Sequence, residues 1–147
     1  MAYFLCMDFL SLATLRRSVR SYRSTPVERD KIERCLEAAR LAPSACNSQP
    51  WYFIVIDDPA LRDRVTQQTH GKVLPLNHFT VSAPVLIVLC ADKGVWTARA
   101  GGVLKGKPFY LIDVGIAAEH FCLQATEEGL GTCMLGWFRE RAIAGIL

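Results

Sequence analysis

The stretch Leu41-Ala-Pro-Ser-Ala-Cys-Asn-Ser-Gln-Pro-Trp51 constrains this chain most, because a helix must stop and a strand must start within it. Pro43 lacks the N–H that a helix needs and biases Ala42 out of the helical region. Ser44, Asn47, Ser48 and Gln49 then crowd side-chain hydrogen-bonding groups together. Such groups satisfy the backbone of a turn. Set between two buried elements, they also suit the gripping of a ligand. Both readings stand at this point. After Pro50, the apolar run Trp51–Ile56 predicts a strand entering the core at a central position of its sheet.

A chain of 147 residues, 51% hydrophobic and 21% charged, can bury a core as one domain over residues 1–147, and its composition excludes disorder. So apolar a chain also implies that a partner covers some of its surface. The net charge of +3 is small and local: residues 1–40 hold eight Lys/Arg against five Asp/Glu, and the remainder holds nine of each. That excess suits a small anion better than a nucleic acid. The six cysteines (Cys6, Cys35, Cys46, Cys90, Cys122, Cys133) show no CxxC spacing, and four lie in apolar runs. They read as reduced core residues of a cytoplasmic protein. The apolar start lacks a positive n-region and is interrupted by Asp8, which argues against a signal peptide, and Met7 is a candidate natural start. No run is long enough to span a membrane.

In chain order, residues 8–16 predict a short helix ending at arginines. Arg16, Arg17, Arg20 and Arg23, with Ser18 and Ser21, form a compact set of donors. Guanidinium groups bind phosphate bidentately, whereas a solvated basic turn is the plainer account. Thr25-Pro26-Val27-Glu28 carries a capping box, so a helix of roughly 16 residues and about 24 Å is predicted from Thr25 to the Pro43 loop. Asp58-Pro59 opens another, running to about His70. Gly71 to Phe79 is a loop, and Pro84–Ala91 predicts a second buried strand. Asp92 to Pro108, with Trp96, Arg99, paired glycines and three lysines, has the composition of a mobile loop near a site. Phe109–Glu128 predicts a helix buried on most sides, in the core and at a subunit interface, with Asp113, His120 and Gln124 on one stripe. Thr132–Phe138 is a third strand-like run in which Gly136 would let a flat ligand approach, and Arg139–Leu147 begins a last helix.

Phosphate-loop, dinucleotide, nucleophile-elbow and zincin motifs are absent, and His70, His78 and His120 match no metal spacing. Ser44 and Cys46 have no evident base partner. With so few dedicated acid–base residues, an enzymatic chain of this kind would rely on a cofactor.

Three stretches together resemble the nitroreductase family of FMN-dependent oxidoreductases, over roughly residues 8–147. They are Arg16-Arg-Ser-Val-Arg20, Ala42-Pro-Ser-Ala-Cys-Asn-Ser-Gln-Pro-Trp51, and Asp113-Val-Gly-Ile-Ala-Ala-Glu-His with Gly129-Leu-Gly-Thr-Cys133. The resemblance implies an α+β fold, with a central mixed or antiparallel sheet flanked by helices, in an intertwined homodimer with FMN at the subunit interface. It implies that Arg16, Arg17, Ser18 and Arg20 hold the FMN phosphate, ribityl chain and pyrimidine edge, where positive charge also stabilises reduced flavin. It implies that Pro43, Ser44, Ala45 and Asn47 pack on the isoalloxazine, often from the partner subunit, and that Met134, Leu135 and Gly136 lie beside the ring. NADH or NADPH would reduce the flavin and leave before a small acceptor, such as a nitroaromatic or quinone, binds on the same face. Flavin N5 would be the reacting atom, with no catalytic side chain, no metal, no nucleic acid and no membrane involved. A narrower flavin enzyme (dehalogenation or flavin destruction) and a non-catalytic flavin-binding module are the alternatives. Family members usually continue past the last helix with a segment that embraces the partner. Ending at Leu147, this chain would be truncated or a short variant, with FMN held less tightly than in a full-length relative.

Overall fold

The computed structural model describes residues 8–70, 76–92 and 108–147, so the expectations about residues 93–107, most of the 71–79 loop, Cys6 and Met7 lie outside the described residues. Asp8 opens α1 (Phe9–Leu15), its carboxylate accepting the Ser11 N–H at 3.1 Å. The helix stops at Arg16, as predicted, where the backbone turns extended. Helix α2 (Arg29–Arg40) starts later than the capping box predicts. Glu28 is the N-cap in place of Thr25, and no side chain caps the helix. The Glu28 carboxylate is drawn to Lys31 Nζ at 3.2 Å and does not reach back to close the box. The helix has 12 residues and is about 18 Å long, shorter than predicted.

Strand β1 (Trp51–Ile56) has the predicted bounds. It pairs antiparallel with β2 (Leu86–Ala91), Trp51 opposite Ala91 and Ile56 opposite Leu86. The expectation of a central strand buried on both faces is corrected here. Among the described residues the sheet has two strands; Trp51 and Ile56 are buried, while Tyr52 is 63% exposed and Ile54 is also exposed. The pleat, with its period of two, sets Trp51 and Phe53 in one core and turns Tyr52 and Ile54 outward. Ile56, on the side of Tyr52 and Ile54, is covered at the strand's end by a second core. Between the strands, Asp58 caps α3 (Pro59–Thr66) by accepting the Leu61 N–H at 2.8 Å. That helix ends at Thr66, short of His70, and turns through Thr69.

Helix α4 (Phe109–Glu127) runs beside α2 and contributes to one of two cores. Ala117 packs with Ala42 and Trp51 there, and Phe53 stacks on Phe121 at 5.8 Å. The second core joins Ile56 and Val65 to Ile143 of α5 (Glu140–Ala144). Among the described residues α4 is covered unevenly: Asp113, Ala117, Cys122 and Ala125 are buried, whereas Leu111 and Ile112 are more than half exposed. The predicted polar stripe faces α2 and the loop after it. His120 Nδ1 lies 3.2 Å from the Ala38 carbonyl, and Gln124 donates to Glu128, which grips Arg34 of α2. Gly129, at φ 74°, closes α4: its N–H bonds the Thr126 carbonyl while the Leu130 N–H bonds that of Ala125. This double closure needs a left-handed residue, which glycine supplies without a Cβ clash.

The run Thr132–Phe138 is not a strand. Thr132 alone pairs, in a single parallel bridge with Ser18. A ladder needs a continuous partner, and among the described residues the neighbouring segment meets this run only through the Ser18 bridge and the Val19 N–H, both at Thr132.

Two bonds of 2.6 and 2.8 Å make the Arg34–Glu128 pair bidentate, tying α2 to the end of α4. Arg34 holds the Glu128 carboxyl below the usual 4.5. A depressed folded value gives stability that is present above the unfolded value and lost as pH falls through the folded one. Acid titration of thermal stability should therefore show a decline below that pH which Glu128→Gln flattens. An unchanged acid limb in E128Q would rule the pair out as its source.

Candidate functional site

Two of the three stretches singled out by sequence lie side by side. The Val19 N–H donates to the Thr132 carbonyl at 2.8 Å, and Ser18 bridges Thr132, so Arg16–Arg20 runs along the start of the 132–136 run. The approach is close because Gly131 has no side chain. A Cβ there would meet Val19 Cβ, Cγ1 and Cγ2, each at 2.9 Å. Gly131, missed as a contact residue by sequence, makes the close approach within the chain. At Gly136 a Cβ would meet nothing within 4 Å.

The arginines do not act alike. Arg16 points back to α4, its Nη2 2.8 Å from Glu119 Oε2, and its buried Nε has no hydrogen-bond partner. Arg17, Ser18 and Arg20 are exposed. Among the described residues Arg17, Arg20 and Arg23 make no ion pair, whereas Arg29, Arg34 and Arg40 of α2 all do. Charges left unpaired in a net basic segment suit a bound anion. Tyr22 steadies the segment by donating to the Val19 carbonyl at 2.7 Å, and burial pushes its phenol up to about 12.

The Pro43 loop is a strained turn. Cys46, Asn47 and Gln49 take φ of 54°, 51° and 45°, each costing about 1–3 kcal/mol for a residue with a side chain. Ser44 Oγ accepts the Gln49 N–H at 2.9 Å, and Asn47 Oδ1 lies 3.3 Å from Gln49 Nε2. These polar groups thus serve the turn, while Pro43 and Asn47 remain exposed at its surface. Ala45 is anchored from outside, its N–H donating to Asp113 Oδ1 of α4 at 3.1 Å.

Helix α4 therefore holds both regions, the loop through Asp113 and the basic segment through Glu119. Six residues separate the two anchors, about 9 Å along the axis. Neither role was assigned from sequence. The available signal was a carboxylate standing in an otherwise apolar helix. Met134 is about half exposed and Leu135 partly so, giving an apolar surface next to the bridge. The buried cysteines are poor nucleophiles, since burial pushes the Cys35 thiol up to about 11 and raises that of Cys122. Exposed guanidiniums with no ion pair among the described residues, on a segment bridged to Thr132 just before the apolar Met134 and Leu135, are chemically suited to a flat, anionic cofactor.

Comparisons with known proteins show a family and a fold. The model of the nitroreductase family matches residues 13–147. A protein of Methanothermobacter thermautotrophicus named putative NADH dehydrogenase/NAD(P)H nitroreductase is 32% identical over 141 residues, covering 95% of this chain and 67% of that protein. The crystal structure of a nitroreductase family protein from Clostridium novyi NT superposes with a TM-score of 0.82 at 32% identity, covering 95% of this chain and 75% of that one. An FMN-dependent nitroreductase from Clostridium difficile R20291 gives a TM-score of 0.68 at 34% identity, covering 86% and 65% respectively. The chain thus spans about two thirds to three quarters of these relatives.

Proposed function

The chain belongs to the nitroreductase family, and from that premise we propose that it is an FMN-dependent oxidoreductase passing electrons from NAD(P)H to a small acceptor such as a nitroaromatic or quinone. The observation that supports the reading is the Ser18–Thr132 bridge, which joins a segment whose Arg17 and Arg20 make no ion pair among the described residues to the chain two residues before Met134. Arg17, Ser18 and Arg20 bind the phosphate end, and Arg16, held by Glu119, completes the positive wall. Pro43, Ser44, Ala45 and Asn47 face the isoalloxazine, and Met134, Leu135 and Gly136 line its edge. When bound, FMN supplies the two-electron relay between nicotinamide and acceptor. The protein's part is to hold and orient the cofactor and to place positive charge where the reduced flavin is anionic.

The working unit in this proposal is a single domain in a homodimer, in a reducing cytoplasm. Phe9, Leu10, Leu111, Ile112 and Trp137 are each more than half exposed, a large apolar load for a free surface. Among the described residues no helix is long and apolar enough to cross a membrane.

Anaerobic titration of the purified protein with NADH or NADPH, followed by visible absorption, tests the proposal. The expected result is a yellow protein that bleaches. Persistent colour after both nicotinamides would overturn the reductase reading, and colourless protein that takes up no added FMN would overturn the site.

A further inference from the structure

We infer that Asp113 is a positioning residue for the flavin-facing loop, an inference that rests on the cofactor reading above. Asp113 is 6% exposed, and its Oδ2 is buried with no hydrogen-bond partner. Among the described residues no Lys, Arg or His lies within ion-pair distance of it. A carboxylate in that position is costly to keep, and apolar side chains surround it on α4. Among the described residues its side chain makes one bond, accepting the Ala45 N–H at the start of a turn containing three left-handed residues.

Such a turn relaxes unless its surroundings over-determine it. Inside the loop, Gln49 bonds the Ser44 and Asn47 side chains, and the Asn47 and Ser48 N–H groups donate to the Ser44 and Ala45 carbonyls. They fix its internal shape and say nothing of its placement on the body. The Asp113–Ala45 bond references the loop to the helix that also anchors Arg16, and so fixes where the loop stands on the body of the chain. Without it, Pro43, Ser44 and Asn47 would keep their chemistry and lose their position.

The test compares Asp113→Ala and Asp113→Asn with the unaltered protein, first without flavin. Hydrogen exchange at the Ala45 amide should accelerate in D113A and stay slow in D113N, whose amide oxygen still accepts. FMN titration of the flavin-free proteins should show a loss of about tenfold in D113A and under about threefold in D113N, as expected for one bond to a charged group. Visible circular dichroism of bound flavin should change only in D113A, a signature that general destabilisation would not produce. Should D113A fail to fold, Ala45→Pro removes the same bond from the loop side. Ser44 is already extended, at φ −143° and ψ 154°, as a residue before proline must be. A45P has no amide at position 45, so it should reproduce the loss of FMN affinity and the changed circular dichroism expected of D113A. Equal losses in D113A and D113N, an unchanged Ala45 amide, or a freed loop with unchanged FMN affinity would each overturn the inference. If the unaltered protein takes up no FMN, the cofactor reading fails, and the exchange measurement separately decides whether Asp113 holds the loop.

Discussion

Replacing Arg17 and Arg20 together with alanine should weaken FMN binding by about a hundredfold or more while leaving thermal stability nearly unchanged. Each guanidinium offers charge-assisted donors to phosphate, worth about 1.5–3 kcal/mol apiece. Neither makes an ion pair among the described residues and both are exposed; Arg20 has a long 3.5 Å bond to the Ser18 carbonyl, so their removal takes little support from the fold. The loss should be phosphate-specific. Riboflavin, which lacks the phosphate, should bind the variant and the unaltered protein alike. Raising salt should weaken FMN binding more in the unaltered protein than in the variant, because the screened attraction has already been removed. A parallel loss for riboflavin would show that these arginines shape the site without reading phosphate. Arg16→Ala is a different experiment, because it strips Glu119 of its partner at 2.8 Å.

Gly131→Ala should have the second large effect, on fold and site together. The added Cβ meets three Val19 atoms at 2.9 Å, including Val19 Cβ, which no rotamer can move. Valine is also stiff at its first torsion, so the two backbones must separate. Overpacking of this kind costs about 1–3 kcal/mol. Separation breaks the Val19–Thr132 bond and frees the basic segment from its neighbour. Thermal melts should show the destabilisation, and FMN titration should show weaker binding even in protein that is still folded. The double variant G131A/V19G should recover part of both losses. A G131A protein with unaltered melting and FMN affinity would mean that the bridge has no part in the site.

Much of the architecture was legible locally. Asp58 announced α3 through a cap that the structure forms, and Pro50 before an apolar run marked the start of β1. Errors arose where one residue had two options. Glu28 could close a capping box or pair with Lys31, and the pair prevails at 3.2 Å. Thr132–Phe138 had strand composition but only a short partner, a fact that its own residues do not contain. Tyr52 and Ile54 were apolar enough to be taken as buried, and the pleat exposes them. Candidate site residues were visible as types, whereas their division of labour was not. Nothing near Arg16 in sequence shows that Glu119, 103 positions away, holds it. Nothing near Ala45 shows that Asp113, 68 positions away, receives its N–H.

Those separations bear on how the molecule comes into being. Loop closures of 68, 82, 94 and 103 residues bind the loop, α2 and the basic segment to α4. Local helices form quickly, but pairings this distant must first overcome the entropy of bringing remote segments together. During synthesis the arginines and the Pro43 turn emerge early and wait, unplaced, until α4 and Thr132 have followed. The capacity to hold a cofactor should therefore arise late in folding, in one step with the docking of α4.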